Sequence, residues 1–156
     1  MRLSAGPGVK WHDEGMDIND SDPVRILSAD ECWELLLSSS FGRLAAAVAD
    51  DIEIFPLNFV AADRRLLFRT AEGTKLLALT VNNKVALETD SIGRSDAWSV
   101  VVKGIARVLD TQAEIEAANA LPLHPLVPTL KYIWVEIAPT ELTGRRFDLE
   151  PEPERY

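Results

Sequence analysis

Between Gly42 and Thr70 the chain runs through apolar stretches separated by turns of two or three charged residues, and that spacing leaves few folds open. Arg43–Ala49 leads to Asp50-Asp51, Ile52–Ala62 to Asp63-Arg64-Arg65, and Leu66–Thr70 closes the series. Stretches joined by so few residues must fold back on themselves, because a parallel crossover needs about a dozen residues or more. The pattern predicts consecutive antiparallel hairpins.

Three further strands follow. Lys84–Asp90 is the fourth, and Ala97–Leu109 the fifth, marked by Val100, Val101, Val102, Ile105 and Val108. Gly104 in its middle predicts a bulge or bend, as a closing barrel requires. Leu130–Ile137 is the sixth. Helices lie between them. Ser28 and Glu31 form a capping box ahead of an apolar face of Cys32, Leu35 and Leu36, and Gly42 follows the helix end. Thr70 can cap Glu72–Val81, and Thr111 with Glu114 caps a helix to Ala120. Residues 1–23 and 148–156 carry too little apolar surface to order on their own, and are expected as a flexible N-terminal tail and a loose acidic C-terminal one. The expected architecture is mainly β: a six-stranded antiparallel barrel over residues 24–147 with short peripheral helices.

A chain of 156 residues that is 47% hydrophobic suits one domain with a sizeable core. Its net charge of −9 repels nucleic acid and anionic membranes, so neither is an expected partner. Cys32 is the single cysteine, which rules out an internal disulfide. No apolar run approaches the roughly 20 residues of a membrane span, and a soluble cytoplasmic protein is expected.

Protein-only chemistry is hard to assemble from these residues. His12 and His124 lie in the tail and in a Pro-rich loop, so a zinc site would have to lean on carboxylates. Cys32 sits on the apolar stripe of its helix with no base beside it. The informative stretch is Phe68-Arg69-Thr70-Ala71-Glu72-Gly73-Thr74-Lys75, where a strand gives way to a helix. A helix N-terminus offers free N–H donors and positive potential. Arg69 can bind two oxygens, Lys75 adds a point charge, and Thr70 and Thr74 add hydroxyls. The same residues also suit an ordinary capped helix with surface cations. Two weaker signals accompany it: Pro56 within the apolar strand Phe55-Pro56-Leu57-Asn58-Phe59, and Trp98-Ser99 at the head of the fifth strand.

These segments, in this order, resemble the pyridoxamine 5′-phosphate oxidase-like, FMN-binding split-barrel family, in particular its small actinobacterial-type members. Gly42-Arg43-Leu44, Trp98 through Ala106, and the closing Trp134, Pro139 and Gly144-Arg145-Arg146-Phe147 complete a likeness that spans residues 25–147. The resemblance implies a homodimer with a flavin mononucleotide (FMN) at each of two interface sites. Phe68, Arg69, Thr70, Thr74 and Lys75 would form the phosphate cradle, and Pro56, Leu57, Asn58 and Phe59 the strand against the ring. Trp98 and Ser99 would approach the flavin from beside it or across the interface. Related barrels use the deazaflavin F420, which stays open as the alternative cofactor. B6 oxidases continue past the last strand into an Arg-Leu-His-Asp-Arg segment. Here Gly144-Arg145-Arg146-Phe147-Asp148 stands in its place, so the substrate is unknown. The implied activity is hydride transfer at flavin N5 with a small-molecule substrate or electron donor; the rival is a flavin-storing module or a non-catalytic partner protein.

Overall fold

The computed structural model describes residues 10–11, 22–124 and 132–151. Its strands are β1 (Lys10–Trp11), β2 (Val24–Ile26), β3 (Phe41–Val48), β4 (Asp51–Asn58), β5 (Val60–Ala62), β6 (Arg65–Thr70), β7 (Lys84–Ile92), β8 (Asp96–Val108) and β9 (Ile133–Asp148). The helices are α1 (Ala29–Ser38), α2 (Thr74–Val81) and α3 (Gln112–Asn119). One curled sheet runs β4-β3-β7-β8-β9-β6-β5, and β1 and β2 add to β9. All pairings are antiparallel except β1 with β9.

The mainly β, antiparallel expectation holds, but six strands is too few. The expected strand Ile52–Ala62 breaks at Phe59 into β4 and β5. Phe59 turns its N–H to the Ser40 carbonyl, 3.1 Å away, and buries its ring to 1% exposure. That corner carries the chain from one edge of the sheet to the other. Within the segment expected as a loose tail, Lys10 and Trp11 lie in register with Glu141 and Leu142. The remainder of residues 1–21 lies outside the described residues, as do 125–131 and 152–156.

The last strand is twice the length expected. β9 continues through Pro139 to Asp148 because its register against β8 shifts between Lys103 and Gly104. Lys103 faces Glu141 and Gly104 faces Pro139, which leaves Thr140 as the extra residue. Thr140 turns its hydroxyl onto the Lys103 carbonyl at 3.3 Å. A proline is tolerated here because a bulge needs one ladder donor fewer.

Alternation sorts the side chains. Leu44, Leu87, Val100, Val102, Val135 and Ile137, all fully buried, point into the barrel with Leu66 and Phe68. α1 closes one mouth: Leu36 and Cys32 enter the core, and Ser28 caps the helix by accepting from the Glu31 N–H at 3.2 Å. The Glu31 carboxylate goes to Arg25 at 2.8 Å. α3 covers a smaller cluster of Val60, Leu67, Leu109, Ala118 and Trp134, with the expected capping box at Thr111 and Glu114. The Trp134 indole donates to the Asn119 side chain at 2.8 Å.

The packing of α1 on β9 leaves no space at Gly144, where an added Cβ would stand 2.5 Å from the Cys32 Sγ and 3.2 Å from Leu27. Gly144→Ala should therefore cost about 1–3 kcal/mol. In a double variant with Cys32→Ala the two penalties should fall short of additivity by about 1 kcal/mol, read from urea unfolding. Strict additivity would reject the contact.

Candidate functional site

β6 pairs with β9 through Thr70, which faces Ile133. That pairing keeps Thr70 in the strand, so it does not cap α2 as expected. Its hydroxyl donates to the Ala71 carbonyl at 3.2 Å and is buried. The chain then needs Ala71-Glu72-Gly73 to turn, and α2 begins at Thr74, two residues later than the sequence implied. Gly73 is the N-cap, with φ +152° and no side-chain hydrogen bond to the first turn. The N-terminal N–H groups of α2 thus meet no capping side chain.

Arg69 and Thr70 leave β6 on opposite faces. Thr70 follows Phe68 inward, whereas Arg69 shares its face with Leu67 and lies over the Trp134 ring, 5.5 Å from its centroid. Trp134 is its cross-strand neighbour, which explains the stacking. The Arg69 Nε is buried and has no hydrogen-bond partner. An unsatisfied donor of this kind costs about 1–3 kcal/mol unless something answers it. Lys75, in the first turn of α2, places its ammonium 5.5 Å from the centre of the Phe55 ring.

That contact joins the α2 start to β4. β4 and β6 also come close to one another in the fold. Two of the three segments singled out in the sequence are therefore neighbours. Leu57, Phe59 and Phe68 are buried, so this strand presents backbone and the Pro56 and Asn58 side chains. Asn58 donates from Nδ2 to the Ser40 carbonyl at 3.0 Å.

Trp98 and Ser99 stand apart from that junction and from each other. Trp98 packs against the core, while Ser99 points outward, opposite Asp90 on β7 and Arg145 on β9. From β4 to β8 is three strand steps, about 14 Å across the sheet at the usual spacing. The outward face between them carries a charge cluster that spacing could not reveal. Arg43 meets Glu88 at 3.0 Å and Asp90 at 3.5 Å. Burial pushes the Glu88 carboxyl above its ordinary value, and Asp90 raises it further against the pull of Arg43. Knowledge of the β3–β7 register alone would have found this triad.

With these residues Arg69, Lys75 and the start of α2 suit a phosphate: a fork-shaped cation with an unanswered nitrogen, a point charge, and a helix N-terminus without a side-chain cap. Among the described residues no group of His, Cys, Asp and Glu is placed to hold a metal ion. No helix among them is long and apolar enough to cross a membrane.

An antiparallel barrel closed by a strand that changes edges, with a strand-to-helix junction beside it, defines a class. The chain belongs to the pyridoxamine 5′-phosphate oxidase family, whose model matches residues 28–146. It is similar to a Corynebacterium glutamicum structure named as a candidate pyridoxamine 5′-phosphate oxidase, at 43% identity and TM-score 0.78, covering 88% of this chain and all (100%) of that one. A Mycobacterium smegmatis structure described as a FAD binding protein is 44% identical with TM-score 0.70, covering 80% of this chain and 98% of the other. An uncharacterised protein of Mycobacterium tuberculosis is 45% identical over 92 residues, 59% of this chain and 84% of that protein.

Cys32 is no nucleophile. Burial, with a smaller push from Glu31, raises its thiol from 9.0 to about 11. At pH 8 only about one thiol in a thousand would be thiolate. Labelling by a disulfide reagent should be slow in the native protein and fast in urea. Because the folded value is raised, the neutral thiol stabilises the fold fully below pH 9.0, and that contribution fades as pH climbs through about 11. Rapid native-state labelling at pH 8 would contradict this environment.

Proposed function

We propose that this protein is a flavin-dependent oxidoreductase that works as a homodimer and holds its cofactor by the phosphate at the β6–α2 junction. One observation carries the reading: the buried Arg69 Nε lacks an acceptor, on the strand that leads directly into a helix start that no N-cap side chain satisfies. A phosphate would answer both. Membership of the family supports this, as does a 44%-identical relative described as a FAD binding protein. We favour FMN over F420 because the cradle is compact; FAD carries the same ribityl phosphate and would use the same donors.

Bound there, the flavin would supply hydride acceptance and donation at N5. The chain's own residues would do the rest. Arg69, Lys75, Thr74 and the first-turn N–H groups would hold the phosphate, while Thr70, buried on the opposite face of β6, would support the turn. The backbone of Pro56–Phe59 would face the ring, kept in place by the buried Leu57, Phe59 and Phe68. Ser99 would serve from the outward sheet face. The substrate should be other than pyridoxamine phosphate, since Arg145-Arg146 leads into Phe147-Asp148 where the B6 oxidases carry their Arg-Leu-His-Asp-Arg segment.

Removing a charged hydrogen-bond partner costs on the order of 1.5–3 kcal/mol, or about 10- to 100-fold in affinity. Arg69→Ala and Lys75→Ala should weaken FMN by that factor and leave riboflavin nearly unchanged. Equal losses for both ligands would reject the phosphate assignment. The mass and spectrum of a copurifying chromophore separate FMN, FAD and F420, and bleaching by NADH or NADPH with transfer to an acceptor separates an enzyme from a storage module.

The dimer reading rests on the outward face of β4. Ile52 and Ile54 are 75% and 64% exposed there, beside Ala45, Ala47 and Ala86. Light scattering should give twice the chain mass of 17.3 kDa at micromolar concentration. A 17.3 kDa species at full flavin occupancy would refute it.

A further inference from the structure

Asp30, Trp33, Glu34 and Leu37 recur at the spacing of one helical stripe, and they form the side of α1 that faces the β5–β6 turn. Opposite them the hairpin closes on Asp63 and Arg64, both left-handed at φ 51° and 59°, with Ala62 beside them. The two sides bound a groove of about 470 Å³ whose lining includes none of the residues of the proposed flavin site.

Part of this arrangement is structural. Arg64 meets Asp30 at 2.7 Å and lies 5.7 Å from the centre of the Trp33 ring, which fastens the hairpin to α1. Four features are left unexplained by that fastening. Glu34 and Asp63 are exposed and have no ion pair among the described residues. Leu37 is 65% exposed at the end of the stripe. Trp33 is only 4% exposed, yet its indole N–H has no acceptor.

We propose that this groove docks a short basic segment of a partner protein. Two free carboxylates call for cationic side chains, the Leu37 shelf for an apolar one, and the indole N–H for a carbonyl oxygen. An extended peptide with alternating basic and apolar residues carries all three together. A small organic cation offers no acceptor to the indole, and the carboxylates repel nucleic acid. Because the indole nitrogen is buried, docking requires the side chains around it to shift. The site is independent of flavin binding and stands or falls separately from it.

The full-length protein, labelled with ¹⁵N, reports on this directly, since its 4 tryptophans give few indole resonances. Trp33→Phe assigns the one in the groove. The acetylated, amidated pentapeptide Lys-Leu-Lys-Leu-Lys should shift that resonance saturably, and Glu-Leu-Glu-Leu-Glu should not. Exposed ion pairs contribute about threefold each, so Glu34→Gln with Asp63→Asn should weaken the basic peptide about tenfold. Leu37→Ser should weaken it further. No shift by about 5 mM peptide, a shift by both peptides alike, or a shift undiminished in the double charge variant would each overturn the proposal. All substituted carboxylates are exposed, so the variants keep the wild-type spectrum elsewhere.

Discussion

The bulge on β9 is the constraint on which the rest of the barrel depends. β9 pairs with β8 on one side and with β6, β1 and β2 on the other. A straight ladder of 16 residues could not do this and also curl. Inserting Thr140 opposite Lys103 and Gly104 bends the strand, and the two backbones then approach so closely that an added Cβ at Gly104 would collide with the Ala138 carbonyl oxygen. Before the bulge β9 presents Val135 and Ile137 to the core; after it, Leu142 and Gly144. Without the extra residue every inward side chain beyond Pro139 would be turned to the outside.

That sorting also explains how the candidate cradle is put together. β6 hydrogen-bonds only to the first part of β9, so its Thr70 end stops where the ladder stops and the chain must leave the sheet. α2 starts there, against β4, because the Phe59 corner has already brought β4 to that side. Arg69 cannot turn inward with Phe68 and Thr70. It settles on Trp134, whose own position is fixed by Asn119 of α3. The orphaned Nε is therefore a product of the strand's parity and not of a loose surface side chain.

Much of this was legible in the sequence, for identifiable reasons. Turns of two charged residues between β-branched runs specify hairpins locally, so β3, β4, β6, β7 and β8 fall close to their expected places. The capping boxes at Ser28 and Thr111 are equally local, though Glu31 prefers Arg25 to the reciprocal bond. What failed depends on distant partners. The break at Phe59, the extension of β9 through Pro139 and the displacement of the α2 cap from Thr70 to Gly73 are each decided by a neighbouring strand. The candidate site shares this division. Arg69 to Lys75 could be read as one strand-to-helix unit, whereas the Arg43–Glu88–Asp90 triad exists only through the β3–β7 register.

The parity rule has a last consequence at Trp98 and Ser99, which adjoin in sequence but serve different faces. Trp98 alternates with the buried Val100 and Val102 and packs on the core, so its large ring supports the sheet from within. Ser99 alternates with Val101 on the outside, in register with Asp90 and Arg145. Asp90 already contacts Arg43, while Arg145 has no ion pair among the described residues. A molecule lying across this outward face would therefore meet a hydroxyl and a free guanidinium, not an indole. Any account that has both residues of the pair touch one ligand must first turn a strand that nine consecutive β7 pairings hold in place. The substitution that reports on a ligand here is at Ser99, and a change at Trp98 reports on the core.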